Sequence, residues 1–285
     1  FPNPFSGVDV GIQLCLVAQD PQGNPTNGIV RHESNTLSTN DYTTYNTQNA
    51  LYWNTTQYFN IYIVYDIAGA PAAAYSSLAS AHGQTYDGVV VKYDSWSEKL
   101  LAHETGHYFN LYHVFEGSCP NNNCLTDGDR VCDTPPKGSS GGTTFPNCIP
   151  TNTCPTTDDD DTSANNPFRS IALGGLGNQN DSNENYMDYS GNCWGAFTQA
   201  QRTRMRTSLT TIRSSLFASD VCMPIAANNA GISAIVFPTS WVCNSSFAPI
   251  VALKNAGTTT LTSVNIALEI DDVLQYINAP VLALS

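Results

Sequence analysis

Three observations predict an α+β fold. Strand-like runs alternate with turn residues up to about residue 94. Two later segments carry helical spacing with start signals of their own. Beyond Cys222 apolar and polar residues alternate, broken by turn residues. Taking the elements in order, "VDVGIQLCLVAQ" (Val8 to Gln19) reads as a strand and "DPQGNPTNG" after it as turns. "YFNIYIVYDI" (Tyr58 to Ile67) reads as a buried strand, as does "GVVVKYD" (Gly88 to Asp94). Between them, "GAPAAAYSSLAS" contains Pro71 and suits an edge strand, where a missing N–H is tolerated. Ser95 and Glu98 then have capping-box spacing, which starts a helix expected to run through His107 to about Phe109. A long irregular stretch follows to about Ser190. Loops of such length are functional or stapled. Thr198 and Gln201 form a second capping box, opening a helix with Met205, Leu209, Ile212 and Leu216 as its core stripe. Arg202, Arg204, Arg206 and Arg213 are read as its solvated face. Residues 1–220 are therefore assigned to one domain. Residues 221–285 are assigned to a β-rich, immunoglobulin-like module, shorter than the ~100 residues of a full sandwich and so expected to be partial.

Charge and hydropathy exclude several partners. The chain has 285 residues with 11 Lys+Arg against 24 Asp+Glu, a formal net charge of -13. Such a surface repels phosphate backbones, so nucleic acid is not an expected partner. The most apolar run, "IYIVYDIAGAPAAAY", carries Asp66, and no stretch reads as a bilayer span. The start, "FPNPFSGVDV", lacks the pattern of a signal peptide and reads as the front of a processed or trimmed chain. Nine cysteines point to an oxidising, extracellular setting. No closely spaced Cys-x-x-Cys pairs suggest a cysteine zinc site.

The segment "HETGHYFNLYH" holds three of the five histidines. His103 and His107 are four apart on the first helix, so both rings share one face and can reach one ion. Glu104 lies beside the first ligand, placed to act as a general base on water. Three neutral imidazoles with one open position suit catalytic zinc, which brings the pKa of its water down to roughly 7. His113, six residues past His107, lies about 240° around a straight helix. It can join only if the helix ends and the chain bends. Asn110 stands at the turning position, and Asn tolerates positive φ better than most residues. A His-Glu-x-x-His alone also occurs by chance on surface helices. "ENYMDYS" (Glu184 to Ser190) follows downstream.

"HETGHYFNLYH" together with "NYMDY" resembles the metzincin zinc peptidases. "GDRVCDTPP", "DPQGNPTNGI" and "NYMDYS" are similar to the pappalysin family, particularly its secreted bacterial members. The resemblance covers roughly residues 8 to 217. It implies a metzincin catalytic domain: a mixed twisted sheet with an antiparallel edge strand, an active-site helix and a C-terminal helix. It implies zinc ligation by His103, His107 and His113, with Glu104 as base. Met187 would form the floor of a Met-turn, and Tyr189 would donate to the developing oxyanion. The implied activity is secreted endopeptidase cleavage of protein or peptide substrates, held extended along the edge strand. The family's usual Gly at the helix-ending turn is Asn110 here. Its members open with a further strand and helix, so a missing start is expected. The loop "SGNCWGAF" shapes the pocket after the cut bond, with Asn192 and Trp194 as candidate liners.

Two competing functions stay in view. One is a secreted binding or adhesion protein on a non-catalytic scaffold of this kind. The other is a zinc peptidase whose third ligand is a distant Glu. Asp127, Asp129, Asp133 and Thr134 are read as a calcium loop, against the alternative of a solvated turn. For Asp158 to Asp161 the solvated turn is preferred. Disulfides are expected to staple the long loop: Cys148–Cys193, then Cys124–Cys154 and Cys119–Cys132, among fifteen possible connectivities. Cys222–Cys243 is a separate pairing, and Cys15 is the expected free, buried thiol.

Overall fold

A computed structural model describes residues 7–138, 150–156, 166–219, 221, 230–237, 249–255, 259–264, 266–270, 273–278 and 281–284. The chain divides into two compact units, Phe1–Gln13 with His32–Ser219, and Leu14–Arg31 with Asp220–Ser285.

The first unit is mixed α/β. β1 (Thr39–Asp41) precedes α1 (Asn46–Leu51) and pairs in parallel with β3 (Asp66–Ala68). β2 (Ile61–Val64), β4 (Ala74–Ser76) and β5 (Val89–Lys92) form a three-stranded sheet in the order β2-β5-β4. β2 runs parallel to β5 and β4 antiparallel to it. The predicted antiparallel edge strand is β4. β5 carries three consecutive buried valines, because it is covered on both faces. Val89 and Val91 join the cluster with Tyr108, Leu111, Met187, Phe197 and Met205. Val90 faces Tyr62, Val64 and Ile67. Each fully buried valine is worth about 1.5–3 kcal/mol of transfer free energy. The long strand expected over Tyr58 to Ile67 is two short strands broken at Tyr65, with Ile61 and Ile63 pointing outward.

α2 (Glu98–Tyr108) packs near β4 and β5. Its N-cap is Ser97, whose hydroxyl accepts from Leu100 N at 3.1 Å. The expected Ser95–Glu98 box is therefore displaced: Glu98 is the first helical residue and sits where its charge suits the dipole. α3 (Gln199–Thr210) begins on the predicted Thr198–Gln201 capping box, with both reciprocal bonds formed. α4 (Ser214–Phe217) follows. The break between α3 and α4 rotates the expected stripe. Ile212 is exposed and Arg213 is fully buried, so the reading of all four arginines as a solvated face fails at Arg213.

The predicted strand over Val8 to Gln19 does not form. Gly11 takes φ 67°, Leu14 and Leu16 are exposed, and the run passes from one unit to the other after Gln13. Only Gln19 makes an isolated bridge, to Pro25. The turn after it is as read: the Asp20 carboxylate accepts from Gln22 N and Asn24 N.

Among the described residues, the second unit contains three antiparallel pairs. β6 (Ala230–Phe237) pairs with β7 (Ile250–Asn255). β8 (Leu261–Ser263) pairs with β11 (Val281–Leu284), and β9 (Ile266–Ile270) with β10 (Val273–Asn278).

Disulfide connectivity differs from the expectation. Cys119 joins Cys154, and Cys124 joins Cys132. The expected Cys124–Cys154 and Cys119–Cys132 are thus exchanged. Cys124 and Cys132 close the tight loop around Asp127 and Asp129, a local pairing that spacing alone did not favour. Cys15 is disulfide-bonded, not free, and Cys193 is also bonded. Cys148, Cys222, Cys243 and Asp158 to Asp161 lie outside the described residues.

Candidate active site

α2 brings His103 and His107 onto one face, and its end brings His113 back to them. The helix stops at Tyr108 and Asn110 takes φ 76°, the left-handed turn expected of it. Leu111 N donates to Gly106 O at 2.9 Å and Asn110 N to His107 O at 2.8 Å. This is the Schellman pair of bonds, which reverses the chain in one residue. As a result, one ligand atom from each of His103, His107 and His113 lies within 4.8 Å of the others. Among the described residues this is the only such group of three or more metal-ligating side chains, and no carboxylate joins it.

The rings are aimed as a donor set. His103 Nδ1 contacts Tyr186 O at 2.5 Å, and His107 Nδ1 contacts Leu111 O at 2.9 Å. A carbonyl only accepts, so each Nδ1 carries the hydrogen and each Nε2 keeps its lone pair for a metal. His107 Nε2 and His113 Nε2 face each other at 3.0 Å. Burial, reinforced by neighbouring His107, holds His103 down to about 3 and His113 down to about 2. Burial lowers His107 as well. All three are neutral at pH 7, as ligation requires.

Glu104 is buried beside them, and burial pushes its carboxyl up to about 8. A divalent cation among the histidines would favour its charged form. Met187 is fully buried beneath α2. A Cβ built on Gly106 would fall 2.4 Å from Met187 Sδ, so the glycine in "HETGH" is what lets the Met-turn approach. Gly in a helix interior costs about 1 kcal/mol against Ala, a signal of close approach that the sequence reading passed over. Tyr189 is 44% exposed and flanks His113 at 4.6 Å and His103 at 5.9 Å between ring centroids. Partial burial, and the Glu104 charge, raise its phenol.

Trp194, one of the two expected pocket liners, and side chains that the sequence did not point to complete the setting. Trp194 stacks on the His103 ring at 5.0 Å, and its Nε1 donates to Asp188 O at 2.7 Å. Phe115 stacks on His113 at 4.7 Å. Lys137, fully buried, pairs with buried Asp188 at 2.7 Å and donates to Asn183 at 2.9 Å. The side chain of Asn192 lies outside the described residues.

Of the expected calcium ligands, Asp129 and Thr134 meet, but the three carboxylates do not gather into one group among the described residues. Asp133 accepts from Thr198 Oγ1 at 2.6 Å and Ala200 N at 2.7 Å, capping α3. Asp129 is buried and accepts from Thr134 Oγ1 and Val131 N, and burial pushes it up to about 8. Asp127 accepts from Asn123 N.

A peptidase family model, M43, described as pregnancy-associated plasma protein-A, matches residues 41–210. The chain belongs to this family, the pappalysins. An extracellular metalloprotease of Neurospora crassa is 34% identical to this pappalysin over 159 residues, 51% of the chain and 46% of the relative. Extracellular metalloprotease 1 of Coccidioides posadasii is 33% identical over 159 residues, 51% of the chain and 47% of the relative. The chain thus spans about half the length of the curated relatives it matches. Mature mirolysin of Tannerella forsythia, solved with a cleaved peptide, superposes with a TM-score of 0.52 at 25% identity. The match covers 78% of this chain and 82% of that one. The catalytic-domain architecture is therefore that of a metzincin.

Proposed function

We propose that this pappalysin is a secreted zinc-dependent endopeptidase that cuts internal peptide bonds by Glu104-assisted attack of water. The observation that carries the reading is the convergence of three neutral imidazoles with a buried carboxylate next to them. His103, His107 and His113 would hold the metal. Zinc, when bound, supplies a Lewis acid that polarises a carbonyl and makes water a better nucleophile. Glu104 takes a proton from the attacking water and delivers it to the leaving amine. Tyr189 donates its phenol hydrogen bond to the oxygen on which charge develops. An extended peptide lies along β4, which has no second neighbour among the described strands.

The names of the relatives support an extracellular setting, and no helix among the described residues is long and apolar enough to cross a membrane. The catalytic domain is read over residues 1–220 apart from Leu14–Arg31, which groups with the second unit, and the three antiparallel pairs support a partial immunoglobulin-like module over 221–285. Calcium at Asp127, Asp129, Asp133 and Thr134 gains no support from carboxylates that are engaged separately, and no role is given to it.

Glu104→Ala tests the mechanism. Cleavage of a casein-like substrate should fall by about 10²–10⁴-fold or more, with one zinc still bound and the fold retained. Wild-type protein that holds zinc and cleaves nothing sinks the proposal in favour of a binding scaffold.

A further inference from the structure

We propose that Arg204 and Arg213 are positioning residues that lock the end of α2 and thereby aim His113 at the metal. The inference rests on the zinc reading above. A helix end leaves its last carbonyls unpaired and partly negative. The Schellman bonds occupy Gly106 O and His107 O, and Phe109 N occupies Thr105 O. Two carbonyls that bracket the bend are taken by side chains from α3 and from the turn before α4 instead. Arg213 Nε donates to Tyr108 O at 2.8 Å, and Arg204 Nε donates to Asn110 O at 2.7 Å.

Each guanidinium is itself fixed. Both Nη atoms of Arg213 donate to the Asp87 carboxylate, at 2.5 and 2.9 Å, with both residues fully buried. Nη2 also donates to Leu78 O at 3.3 Å, and the group lies 3.5 Å from the Tyr108 ring centroid. Asp87 precedes Gly88 at the entrance to β5, so the clamp ties the helix end to the sheet. Arg204 reaches Arg130 O at 3.4 Å and lies over the ring of Tyr112 at 5.1 Å, with Arg130 over the same ring at 4.5 Å. Tyr112 immediately precedes His113. The peptide after Asn110 is the pivot of the bend, since rotation there swings Leu111 and His113 together. Arg204 holds the oxygen of that peptide. Arg213 holds the last helical one.

The test reads zinc affinity by chelator competition and, separately, the melting temperature of the metal-free protein. Arg204 is partly exposed but acts on buried Asp129, so Arg204→Met is made in an Asp129→Asn background, where no charge is buried alone. Its zinc affinity should fall by about 10- to 100-fold, the usual loss when a group that orients a ligand is removed. In a His113→Ala background the same change should add no further loss, because the ligand it aims is gone. Cobalt-substituted Arg204→Met should also show a weakened tetrahedral d–d band. Arg213→Met is made together with Asp87→Leu, so that no charge is buried alone, and should lose zinc affinity to a similar degree. Unchanged affinity in the Arg204→Met or the paired variant overturns the clamp at that residue. Losses that add fully to that of His113→Ala overturn it too, leaving only a structural role. A wild type that takes up no zinc brings down the functional reading first, and the clamp with it.

Discussion

On the helix side of the site, His103, His107, Asn110 and His113 lie within eleven consecutive residues. Apart from the Tyr186 contact to His103 and the two arginine bonds to Tyr108 O and Asn110 O, they are set by bonds that close over a few residues: Leu111 N to Gly106 O, Asn110 N to His107 O, His107 Nδ1 to Leu111 O. On the Met-turn side, Met187, Asp188 and Tyr189 hang from a loop that is anchored at long range. Lys137 reaches Asp188 across 51 residues, and Cys119 reaches Cys154 across 35. The difference separates a half that a short peptide stretch dictates from a half that exists only once the loop has closed. It follows that destabilisation should damage the Met-turn side first.

The largest expected effect that sharpens this contrast is Lys137→Met. It leaves the Asp188 carboxylate buried without its cation, at a cost of about 3–5 kcal/mol. Urea unfolding measures it, and a loss under 1 kcal/mol would break the claim that this pair anchors the Met-turn. Next come the disulfides. By loop-closure entropy, removing Cys119–Cys154 should cost about 4 kcal/mol and removing Cys124–Cys132 about 2.5 kcal/mol. Serine pairs compared by thermal unfolding check the order, and a reversed order argues that the short staple is the one holding the loop.

The smallest effect concerns the helix side in metal-free protein. Burial raises Glu104 from 4.5 to about 8, so its contribution is fully present below pH 4.5 and is lost as pH rises through about 8. His103 and His113 are depressed from 6.5, so their contribution is present above 6.5 and is lost as pH falls toward 3. Glu104→Gln should raise the melting temperature at pH 8–9 and leave the acid limb unchanged. Melting curves across pH that show no alkaline gain would refute the assignment of that limb to Glu104.

The same division explains what the sequence made legible. The histidine trio, the left-handed Asn110, the edge strand β4 and the Thr198 cap all follow from spacing and local propensity, and each is where those rules put it. The exchanged cysteine pairs, the engaged Asp133 and the Lys137–Asp188 pair depend on how a loop without periodicity folds back, which no local rule encodes. Arg213 was misread for a related reason. Helical periodicity was carried through a break between α3 and α4, and the residue that turned inward was charged. The expected strand over Val8 to Gln19 failed because alternation does not supply a neighbour to pair with.

The bend at Asn110 also makes the interval between His107 and His113 a fixed number. A residue inserted or deleted there displaces the third imidazole by up to about 3.8 Å of chain, while even a non-conservative exchange at Tyr112 leaves the count intact. Within the loop that follows, extra length costs only the slow logarithm of closure entropy. Variation in this protein should therefore be written as substitutions on one side of the metal and as insertions on the other.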